Sequence, residues 1–455
     1  MSSSSKASER ILSLLDENSF VEVGALVTAR ATSFNLTPEQ TPSDGVVTGY
    51  GTIDGNLVFV YSQDSSVLGG SIGEMHAKKI ADLYDLAVRT GAPVIGLLDS
   101  TGLRLQEGTD ALNAFGTIYA KQAKASGVIP QITGVFGTCG GGLALVAGMS
   151  DFTFIAEDAK LFVNSPNAID GNKNKDTAAS SFKAESGAAD AVASEEEVLG
   201  KIRTLVSLLP SNNEDEAVSE CTDDLNRACT AIAANAEDAS AAVRDLADNY
   251  EFFETKADFA KDMITGFIRL NGSTVGVVAN AQTKLSTNGC RKAARFVNFC
   301  DAFEIPVVTY TNADGFASTE DEEKTVARAA AQLAGAFAGA TVPKVNVVVN
   351  AIGSAYAVMN AKALGADITI ALPETTIGIM EGRFAAQILG KDGDDKAALA
   401  KEYDELQNSS ASAAARGYVD QISEAADVRK YVIGALEMLY TKREDSAFIK
   451  KHGTV

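Results

Sequence analysis

The sequence repeats itself at a nearly constant spacing, and this repeat limits the possible architecture more than any other feature. Residues 77–102 match residues 291–315, and the same spacing continues into the glycine-rich segments that follow. Residue pairs 213 positions apart are Pro93 and Pro306, Gly102 and Gly315, Pro130 and Pro343, and Gly140 and Gly353. Upstream, residues 48–55 match residues 265–272 at a spacing of 217. Because matches that keep one order at a fixed spacing indicate a duplication, we predict two domains of the same design.

Within each repeat, the apolar pattern predicts a helix followed by a buried strand. Apolar residues at positions 80, 83, 84 and 87 share one face of a helix that ends near Gly91. An uninterrupted apolar run at 94–98 follows, and the same order recurs before the run at 306–310. Continuous apolar runs are typical of strands that are buried on both faces. The predicted fold class is therefore α/β, with each domain built from repeated ββα units.

The domain boundaries are placed by the repeat and by a change in composition. We predict a first domain over residues 1–245 and a second over residues 246–455. From about position 164 the chain becomes rich in Ser, Ala, Asn and acidic residues, and a helical pattern occupies 195–210. We interpret this stretch as an acidic helical linker with a solvated face.

Composition excludes several classes of function. The chain has 60 acidic and 39 basic residues and a formal net charge of −21, which disfavours binding to nucleic acid phosphates and anionic lipid surfaces. The five cysteines form no C-x-x-C pair, so we expect reduced thiols rather than disulfides or a zinc site. The N-terminal segment MSSSSKASER lacks the apolar core of a secretory signal. We therefore expect a cytoplasmic protein without a bound metal.

Histidine is not expected to be central to the chemistry, because the sequence contains only two. His452 lies in the C-terminal segment KHGTV, and His76 opens the first amphipathic helix. For His76 we favour hydrogen bonding at the start of the helix over contact with a ligand. A Ser-His-Asp or Cys-His triad would need one of these two residues. Catalysis through a histidine base is therefore not predicted.

Glycine-rich turns at matching positions of the repeat are the clearest indication of a functional site. The first is GTCGGGL at 137–143, and the second is NAIGSAY at 350–356. Such a turn between a strand and a helix leaves backbone N–H groups without an intrahelical partner, and these groups can stabilise a developing oxyanion. Tight packing of the turn against a strand is the alternative for either run alone. Two runs at matching positions favour a paired site for two carbonyl-type groups.

Several segments spread over nearly the whole chain resemble one known family. Among them are SQDSSVLGGSIGEMHAKKI at 62–80, GVIPQITGVFGTCGGG at 127–142, ALGADITIALPE at 363–374 and ARGYVDQI at 415–422. With these motifs the chain resembles the carboxyltransferase subunits of biotin-dependent acyl-CoA carboxylases and decarboxylases. That family includes propionyl-CoA carboxylase beta subunits, the transcarboxylase core and the alpha subunits of glutaconyl-CoA and methylmalonyl-CoA decarboxylases. The resemblance implies tandem crotonase-like domains of the ClpP/crotonase type in a homo-oligomer, usually a hexamer.

The resemblance also implies roles for individual residues. Members of the family move a carboxyl group between biotin and the alpha carbon, or a vinylogous position, of an acyl-CoA. The N–H groups implied to hold the thioester oxygen are those of Gly141 and Gly142, and those implied to hold the biotin carbonyl belong to Ser354 and Ala355. Residues implied to line the substrate sites are Ser100, Thr101, Gly102, Arg104, Gly140, Gly353, Tyr356 and Ala357. For Arg104, contact with the phosphates of CoA and a plain surface charge both remain open.

The implied partners follow from what the sequence lacks. It has no Met-Lys-Met biotinylation site and no glycine-rich ATP-grasp segment. Biotin would therefore arrive on a separate biotin carboxyl carrier protein. A biotin carboxylase, or membrane decarboxylase subunits with this chain at their periphery, would complete the system. No nucleic acid partner is expected.

The sequence departs from the usual pattern of the family at three places. The second-domain turn, usually Gly-Gly-Ala-Tyr, reads Gly-Ser-Ala-Tyr at 353–356, and the Asp-x-Pro-Gly-Phe block reads NADGF at 312–316. Phe182 stands where a histidine is common. Two other functions remain open. One is a crotonase-type acyl-CoA enzyme that works without biotin and uses Glu107 or Glu157 as its base, and the other is a paralogue that lost catalysis and keeps an assembly role.

Overall fold

The chain divides into two compact units, Met1–Ala217 and Val218–Val455. The computed structural model describes residues 5–30, 36–173, 175–234 and 238–444. Each unit has one large mixed sheet with helices packed against it, as the predicted α/β class requires. None of the helices in these described ranges has the length and apolar content needed to cross a membrane.

Unit 1 contains eight strands and six helices in its described part. The strands are β1 (Val21–Val23), β2 (Val46–Ile53), β3 (Asn56–Gln63), β4 (Val94–Ser100), β5 (Gln131–Gly140), β6 (Phe152–Ala156), β7 (Lys160–Phe162) and β8 (Ala191–Ala193). The helices are α1 (Lys6–Leu14), α2 (Glu74–Thr90), α3 (Thr109–Ala125), α4 (Leu143–Met149), α5 (Ser180–Glu185) and α6 (Glu195–Leu208). The predicted helix before the buried strand is α2, and it ends at Gly91 with a φ of +65°.

Unit 2 repeats this order with additions. Its strands are β9 (Phe253–Thr255), β10 (Met263–Leu270), β11 (Ser273–Asn280), β12 (Lys284–Leu285), β13 (Val307–Ala313), β14 (Gly315–Phe316), β15 (Lys344–Ile352), β16 (Ile368–Gly378) and β17 (Gln421–Ile422). Its helices are α7 (Ala231–Ala234), α8 (Ala239–Leu246), α9 (Thr287–Ala302), α10 (Glu320–Glu323), α11 (Val326–Gly339), α12 (Gly353–Val358), α13 (Gly382–Leu389), α14 (Lys396–Tyr403), α15 (Ser410–Ala415) and α16 (Val428–Leu439).

The two large sheets have the same topology, which confirms the duplication. Their strand orders are β1-β2-β3-β4-β5-β6-β8, with β7 beside β5, and β9-β10-β11-β13-β15-β16-β17. In each sheet the first three strands are antiparallel and the later ones are parallel. Val94 pairs with Gln131 and Val307 pairs with Lys344, so the register agrees with the sequence spacing of 213.

Charged contacts repeat along with the strands. In unit 1, an Arg203 guanidinium nitrogen lies 2.9 Å from Asp16, whose carboxylate also accepts the Gly55 N–H at 3.0 Å. In unit 2, Arg429 contacts Asp248 at the corresponding hairpin. Each aspartate also binds the turn of its hairpin, so each ion pair links that turn to a helix near the end of its unit. The duplication therefore extends from backbone topology to individual ion pairs.

Residues 195–208 belong to the core of unit 1 rather than to a linker. Strand β8 pairs with β6, and Val198, Ile202 and Leu205 on α6 are fully buried. Helix α8 instead places Val243 and Leu246 in the core of unit 2. The units are therefore divided between positions 217 and 218, whereas the sequence suggested 245 and 246. Apolar spacing on an amphipathic helix does not indicate which sheet the helix covers.

A wide bulge interrupts the pairing of β4 with β5 in unit 1. Leu98 pairs with Val135, and the next paired residues are Ser100 and Cys139. Three residues of β5 therefore lie opposite the single residue Asp99 of β4. A bulge of this kind bends the strand and increases its local twist. It lies directly before the glycine turn.

The bulge of unit 2 is one residue smaller. Thr311 pairs with Val348 and Asn312 pairs with Asn350, so only one residue of β15 is unpaired there. Beyond the two bulges, the spacing between equivalent residues therefore falls from 213 to 212. Residues of the two glycine turns therefore correspond at a spacing of 212.

Unit 2 also carries an additional helical hairpin beside its turn. Thr376 bridges to Ser409 in unit 2, and Lys160 bridges to Ala179 in the same place in unit 1. The longer connection in unit 2 contains α13, α14 and a π-helical turn over Asp404–Asn408. The chain between β16 and α15 is therefore much longer than its counterpart in unit 1.

Candidate functional site

The glycine turn of unit 1 lies where β5 ends and α4 begins. Gly141 has a φ of +61°, a conformation that favours glycine, and Gly142 is the N-cap of α4. The Gly141 N–H donates to the Phe162 carbonyl at 2.9 Å and is therefore occupied. Within the described residues, the N–H groups of Gly142 and Leu143 have no such acceptor. The turn thus offers Gly142 and Leu143 as donors, one residue beyond the predicted pair of Gly141 and Gly142.

Tyr119 on α3 fixes the other side of this turn. Its hydroxyl donates to the Gly142 carbonyl at 2.6 Å. A Cβ added to Gly142 would lie 2.8 Å from the Tyr119 hydroxyl oxygen. A Cβ added to Gly141 would meet no atom within 4 Å, so the space beside Gly141 is open. The sequence reasoning missed Tyr119, whose only signal is an aromatic pair with Phe115 four residues earlier. That spacing is equally typical of an ordinary core face.

The predicted Ser100–Gly102 segment lies beside the turn. Ser100 pairs with Cys139, and its Oγ accepts the Gly102 N–H at 3.1 Å. Gly102 has a φ of +106°, and a Cβ added there would lie 3.6 Å from the Gly140 carbonyl oxygen. Thr101 is exposed between them. The structure therefore brings Ser100, Thr101, Gly102 and Gly140 together at one end of β4 and β5.

Arg104 is not a surface charge, and its surroundings do not favour the contact with CoA phosphates that the resemblance implied. Its side chain is fully buried and forms ion pairs with Asp44 and, at 3.0 Å, with Glu107. It also donates to the Ser71 carbonyl at 2.7 Å. In this arrangement the guanidinium is occupied by two buried carboxylates. Arg104 instead joins the loops that precede α2 and α3.

His76 is buried in the same region and is structural, as the sequence favoured. Its Nδ1–H donates to the Asp44 carbonyl at 2.8 Å, and its Nε2 lies 3.2 Å from the Gln63 amide nitrogen. Burial, assisted by the nearby Arg104 charge, lowers the pKa of His76 to about 3. The ring is therefore neutral at physiological pH and accepts a hydrogen bond from Gln63.

The two carboxylates considered as alternative bases are poorly suited to that role. Glu107 is buried, accepts the Glu74 N–H at 2.6 Å and pairs with Arg104. Glu157 is exposed just after β6. In the described ranges, no group of three or more His, Cys, Asp and Glu side chains is arranged to hold a metal ion.

The turn of unit 2 has the same backbone conformation with different residues. Gly353 has a φ of +70° and opens α12, directly after β15. With the spacing of 212, Gly353 is equivalent to Gly141 and Ser354 to Gly142. The sequence spacing had matched Ser354 to Gly141 instead. Ser354 is exposed and Ala355 is buried, and both belong to the first helical turn, whose N–H groups lack intrahelical acceptors.

Tyr356 and Ala357 follow on α12 with different surroundings. The Tyr356 ring packs against the apolar cluster that contains Val348 and Ile377. Its hydroxyl is buried without a hydrogen-bond partner in the described structure, and burial raises its pKa to about 12. Ala357 is exposed. The ring thus supports the turn from the core side, whereas the Ala357 methyl faces outward.

Comparisons with known proteins agree with this architecture. The family model of the carboxyl transferase domain matches residues 3–455. The chain is 40% identical to a propionyl-CoA carboxylase beta chain from Roseobacter denitrificans, over 99% of this chain and 93% of the relative. It is 38% identical to the methylmalonyl-CoA decarboxylase alpha subunit from Veillonella parvula, over 99% of this chain and 92% of that subunit.

A solved structure extends the similarity to three dimensions. The transcarboxylase 12S hexamer with hydrolysed methylmalonyl-coenzyme A superposes with a TM-score of 0.93 at 35% identity, covering 98% of this chain and 92% of that one. The paired glycine turns and the double sheet define an enzyme of the crotonase-like carboxyltransferase class. The chain belongs to the carboxyl transferase domain family.

Proposed function

We propose that this chain is the carboxyltransferase subunit of a biotin-dependent system acting on a short-chain acyl-CoA of the propionyl or methylmalonyl type. Two of its relatives are named for propionyl-CoA and methylmalonyl-CoA, and a similar solved structure holds methylmalonyl-coenzyme A. The observation that carries the proposal is the presence of two equivalent strand-turn-helix sites, one in each unit. One site holds the thioester and the other holds the biotin carbonyl.

The residues of each turn fit these ligands without a side-chain acid or base. Biotin, when bound through its carrier protein, supplies the group that gives or receives the carboxyl. In unit 1, the N–H groups of Gly142 and Leu143 hold the thioester oxygen as negative charge develops on it. In unit 2, the N–H groups of Ser354 and Ala355 do the same for the biotin carbonyl. Open space beside Gly141 admits the thioester, since a Cβ there would meet no atom within 4 Å.

Residues around the turns orient the ligands rather than react with them. Ser100, Thr101, Gly102 and Gly140 form the wall beside the unit 1 turn. Gly353 and Tyr356 shape the unit 2 turn, and Ala357 faces the bound acyl or biotin group. Cys139, directly before the first turn, stays a thiol because burial raises its pKa. Covalent catalysis through that sulfur is therefore not part of the proposal.

We expect the assembly to be a homo-oligomer, as in the hexameric transcarboxylase relative. Each unit carries exposed apolar side chains, such as Leu105 at 86% exposure in unit 1 and Ile379 at 72% in unit 2, whose carbonyl lies beside Gly353. Exposed apolar residues clustered at one end of a unit are typical of protein interfaces. A second copy of this chain is the proposed occupant, and the biotin carrier is the transient partner.

The activity is tested with free biotin in place of the carrier. Methylmalonyl-CoA, malonyl-CoA and glutaconyl-CoA are each incubated with the protein, and loss of carboxyl is followed with and without biotin. We expect biotin-dependent decarboxylation, fastest with methylmalonyl-CoA. A rate that does not depend on biotin would favour the biotin-independent acyl-CoA enzyme, and no turnover with retained CoA-ester binding would favour the non-catalytic paralogue.

Ligand binding is tested separately by thermal unfolding. A CoA ester that binds only the native state should raise the free energy of unfolding by about 2.7 kcal/mol at a hundred times its dissociation constant. Free CoA serves as the control, because it lacks the acyl group and the thioester carbonyl. An unchanged melting curve with millimolar CoA esters would contradict the proposed ligand class.

A further inference from the structure

The wide bulge between β4 and β5 is clamped by a buried arginine from another part of unit 1. Arg10 lies on α1 and is only 3% exposed. Its guanidinium lies 3.0 Å from the Asp99 carboxylate and 2.9 Å from that of Glu195, the first residue of α6. It also lies over the Phe136 ring, 4.8 Å from the ring centroid.

These contacts reach both sides of the bulge. Asp99 is the single β4 residue inside it, and Phe136 is the first of the three β5 residues that have no partner on β4. Arg10 therefore joins the two strands at the one place where their backbone ladder is interrupted. An ion pair and a ring contact replace the missing strand pairing.

Asp99 occupies the space that the bulge creates. A Cβ added to Gly137 would lie 2.0 Å from the Asp99 carboxylate, so any other residue at position 137 would displace the Asp99 side chain. Ser65 donates to the same carboxylate at 3.1 Å, and the Asp99 N–H donates to the Gln63 side chain at 3.2 Å. Arg10 and Ser65 therefore both hold the Asp99 carboxylate, and Gln63 holds its backbone N–H.

Unit 2 provides an internal comparison for the clamp. The residue equivalent to Asp99 is Asn312, which is paired with Asn350 in the strand ladder. The unit with the carboxylate has the larger bulge, and the unit with the amide has the smaller one. The carboxylate that pairs with Arg10 is thus found in the unit whose bulge has one more residue. That additional residue shifts the glycine turn of unit 1 by one position relative to the turn of unit 2.

We propose that Arg10 is a positioning residue for the thioester-binding turn, because its contacts with Asp99 and Phe136 hold the wide bulge that directs the N–H groups of Gly142 and Leu143. The inference rests on the proposed function of that turn. Arg10 contacts no reacting atom and acts only through the bulge. The ligand is an acyl-CoA, recognised by its thioester carbonyl.

The test compares Arg10→Ala with Arg203→Ala. Both arginines connect α1 with α6, since Arg203 on α6 donates to the Leu14 carbonyl at 2.7 Å, but only Arg10 reaches the bulge. For each variant we would measure carboxyl transfer and the affinities for an acyl-CoA thioester and for the CoA thioether that lacks the carbonyl. Hydrogen exchange of peptides covering 136–143 gives a readout that needs no ligand.

We expect Arg10→Ala to lower kcat about 10- to 100-fold and to reduce the preference for the thioester, while the thioether affinity stays unchanged. Exchange at 136–143 should become faster, and millimolar guanidinium should restore part of the activity. Arg203→Ala should lower stability without these changes. Equal effects of the two substitutions, or unchanged exchange in Arg10→Ala, would overturn the inference.

The two proposals can fail separately. If the wild-type protein does not prefer the thioester over the thioether, the proposed function of the turn is wrong, and hydrogen exchange alone decides whether Arg10 holds the bulge. If the wild-type protein shows the preference and Arg10→Ala keeps it, the proposed function stands and the role of Arg10 is wrong.

Discussion

Arg104 and Asp44 illustrate how a charged residue beside a candidate site can be entirely structural. Both side chains are fully buried, and Asp44 adopts a φ of +48° that few residues other than glycine tolerate. The Asp44 carbonyl binds His76 while its carboxylate binds Arg104. One residue in a rarely occupied conformation thus links the segment before β2 to α2 and to the loop before α3.

Substituting Arg104 should affect stability rather than CoA affinity. Arg104→Met leaves the carboxylates of Asp44 and Glu107 buried without their cation, and losing one partner of a buried pair typically costs about 3–5 kcal/mol. Chemical denaturation with and without a CoA ester measures both quantities. Arg30→Met is the control, because Arg30 also contacts two carboxylates but is half exposed. A fall in CoA affinity without loss of stability would return Arg104 to the phosphate-binding role.

The buried neutral His76 should make stability depend on pH. Its pKa is lowered to about 3, whereas the unfolded chain takes up a proton near pH 6.5. The unfolded state therefore binds more protons below pH 6.5, and the free energy of unfolding should fall as the pH drops towards 3, by at most about 1.4 kcal/mol per pH unit. Urea unfolding between pH 7 and pH 4 should show this slope in the wild type and a smaller one in His76→Asn. Identical slopes would show that His76 is not the group responsible.

The N–H group of Gly142 can be removed with a matched control. Gly142 has a φ of −60°, which proline can adopt, so Gly142→Pro deletes the donor without demanding a new backbone angle. Gly142→Ala introduces the same crowding against Tyr119 and keeps the N–H. Relative to Gly142→Ala, the proline variant should lose about 100- to 1000-fold in kcat. Equal rates in the two variants would remove Gly142 from the oxyanion site.

At the scale of elements, α6 shows what the spacing of apolar residues can and cannot predict. The spacing at 198, 202, 205 and 209 correctly predicts a helix. It cannot distinguish a linker helix from a core helix, because both have one apolar face. The duplication, the helix before each buried strand and the location of the glycine turns were predictable, since each depends on local periodicity or on residue identity. The one-residue shift between the turns was not, because a bulge leaves no periodic signal.

The position of α6 in the core gives it a stability test. Ile202→Ala should lower the free energy of unfolding by about 2–5 kcal/mol, because Ile202 is fully buried against the unit 1 sheet. Thr204→Ala on the exposed face of the same helix is the control and should change it by less than about 0.5 kcal/mol. A small effect of Ile202→Ala would support the linker interpretation instead.

At the scale of the whole molecule, a net charge of −21 accompanies exposed apolar side chains, among them Ile379, whose backbone carbonyl lies beside Gly353. The acidic surface keeps copies apart in general, so the apolar residues determine where contact is favourable. An active site made by more than one copy would link assembly to activity. Charge and hydropathy alone would not have located these residues, because their exposure is visible only in the fold.

Sedimentation measures the assembly directly. We expect a hexamer at micromolar concentration, in which the subunit mass is 47.4 kDa. Ile388→Asp on α13 places a charge on a side chain that is 71% exposed, and it should shift the protein to smaller species and lower activity in parallel. Leu12→Asp on α1 is the control at a similarly exposed apolar position. A wild-type protein that sediments only as a monomer would contradict both the assembly and a shared site.

The unequal bulges have a consequence for anyone who builds chimeras between the two halves. A graft designed from the sequence match would exchange Gly140 with Gly353, although the backbone makes Gly141 the counterpart of Gly353. On a helix, an error of one residue rotates every transplanted amide by about 100° and moves it about 1.5 Å along the axis. A swapped turn would then fold with the expected residues and aim its donors away from the ligand. Transplants between the halves should therefore carry the bulge together with the turn, from β4 through α4.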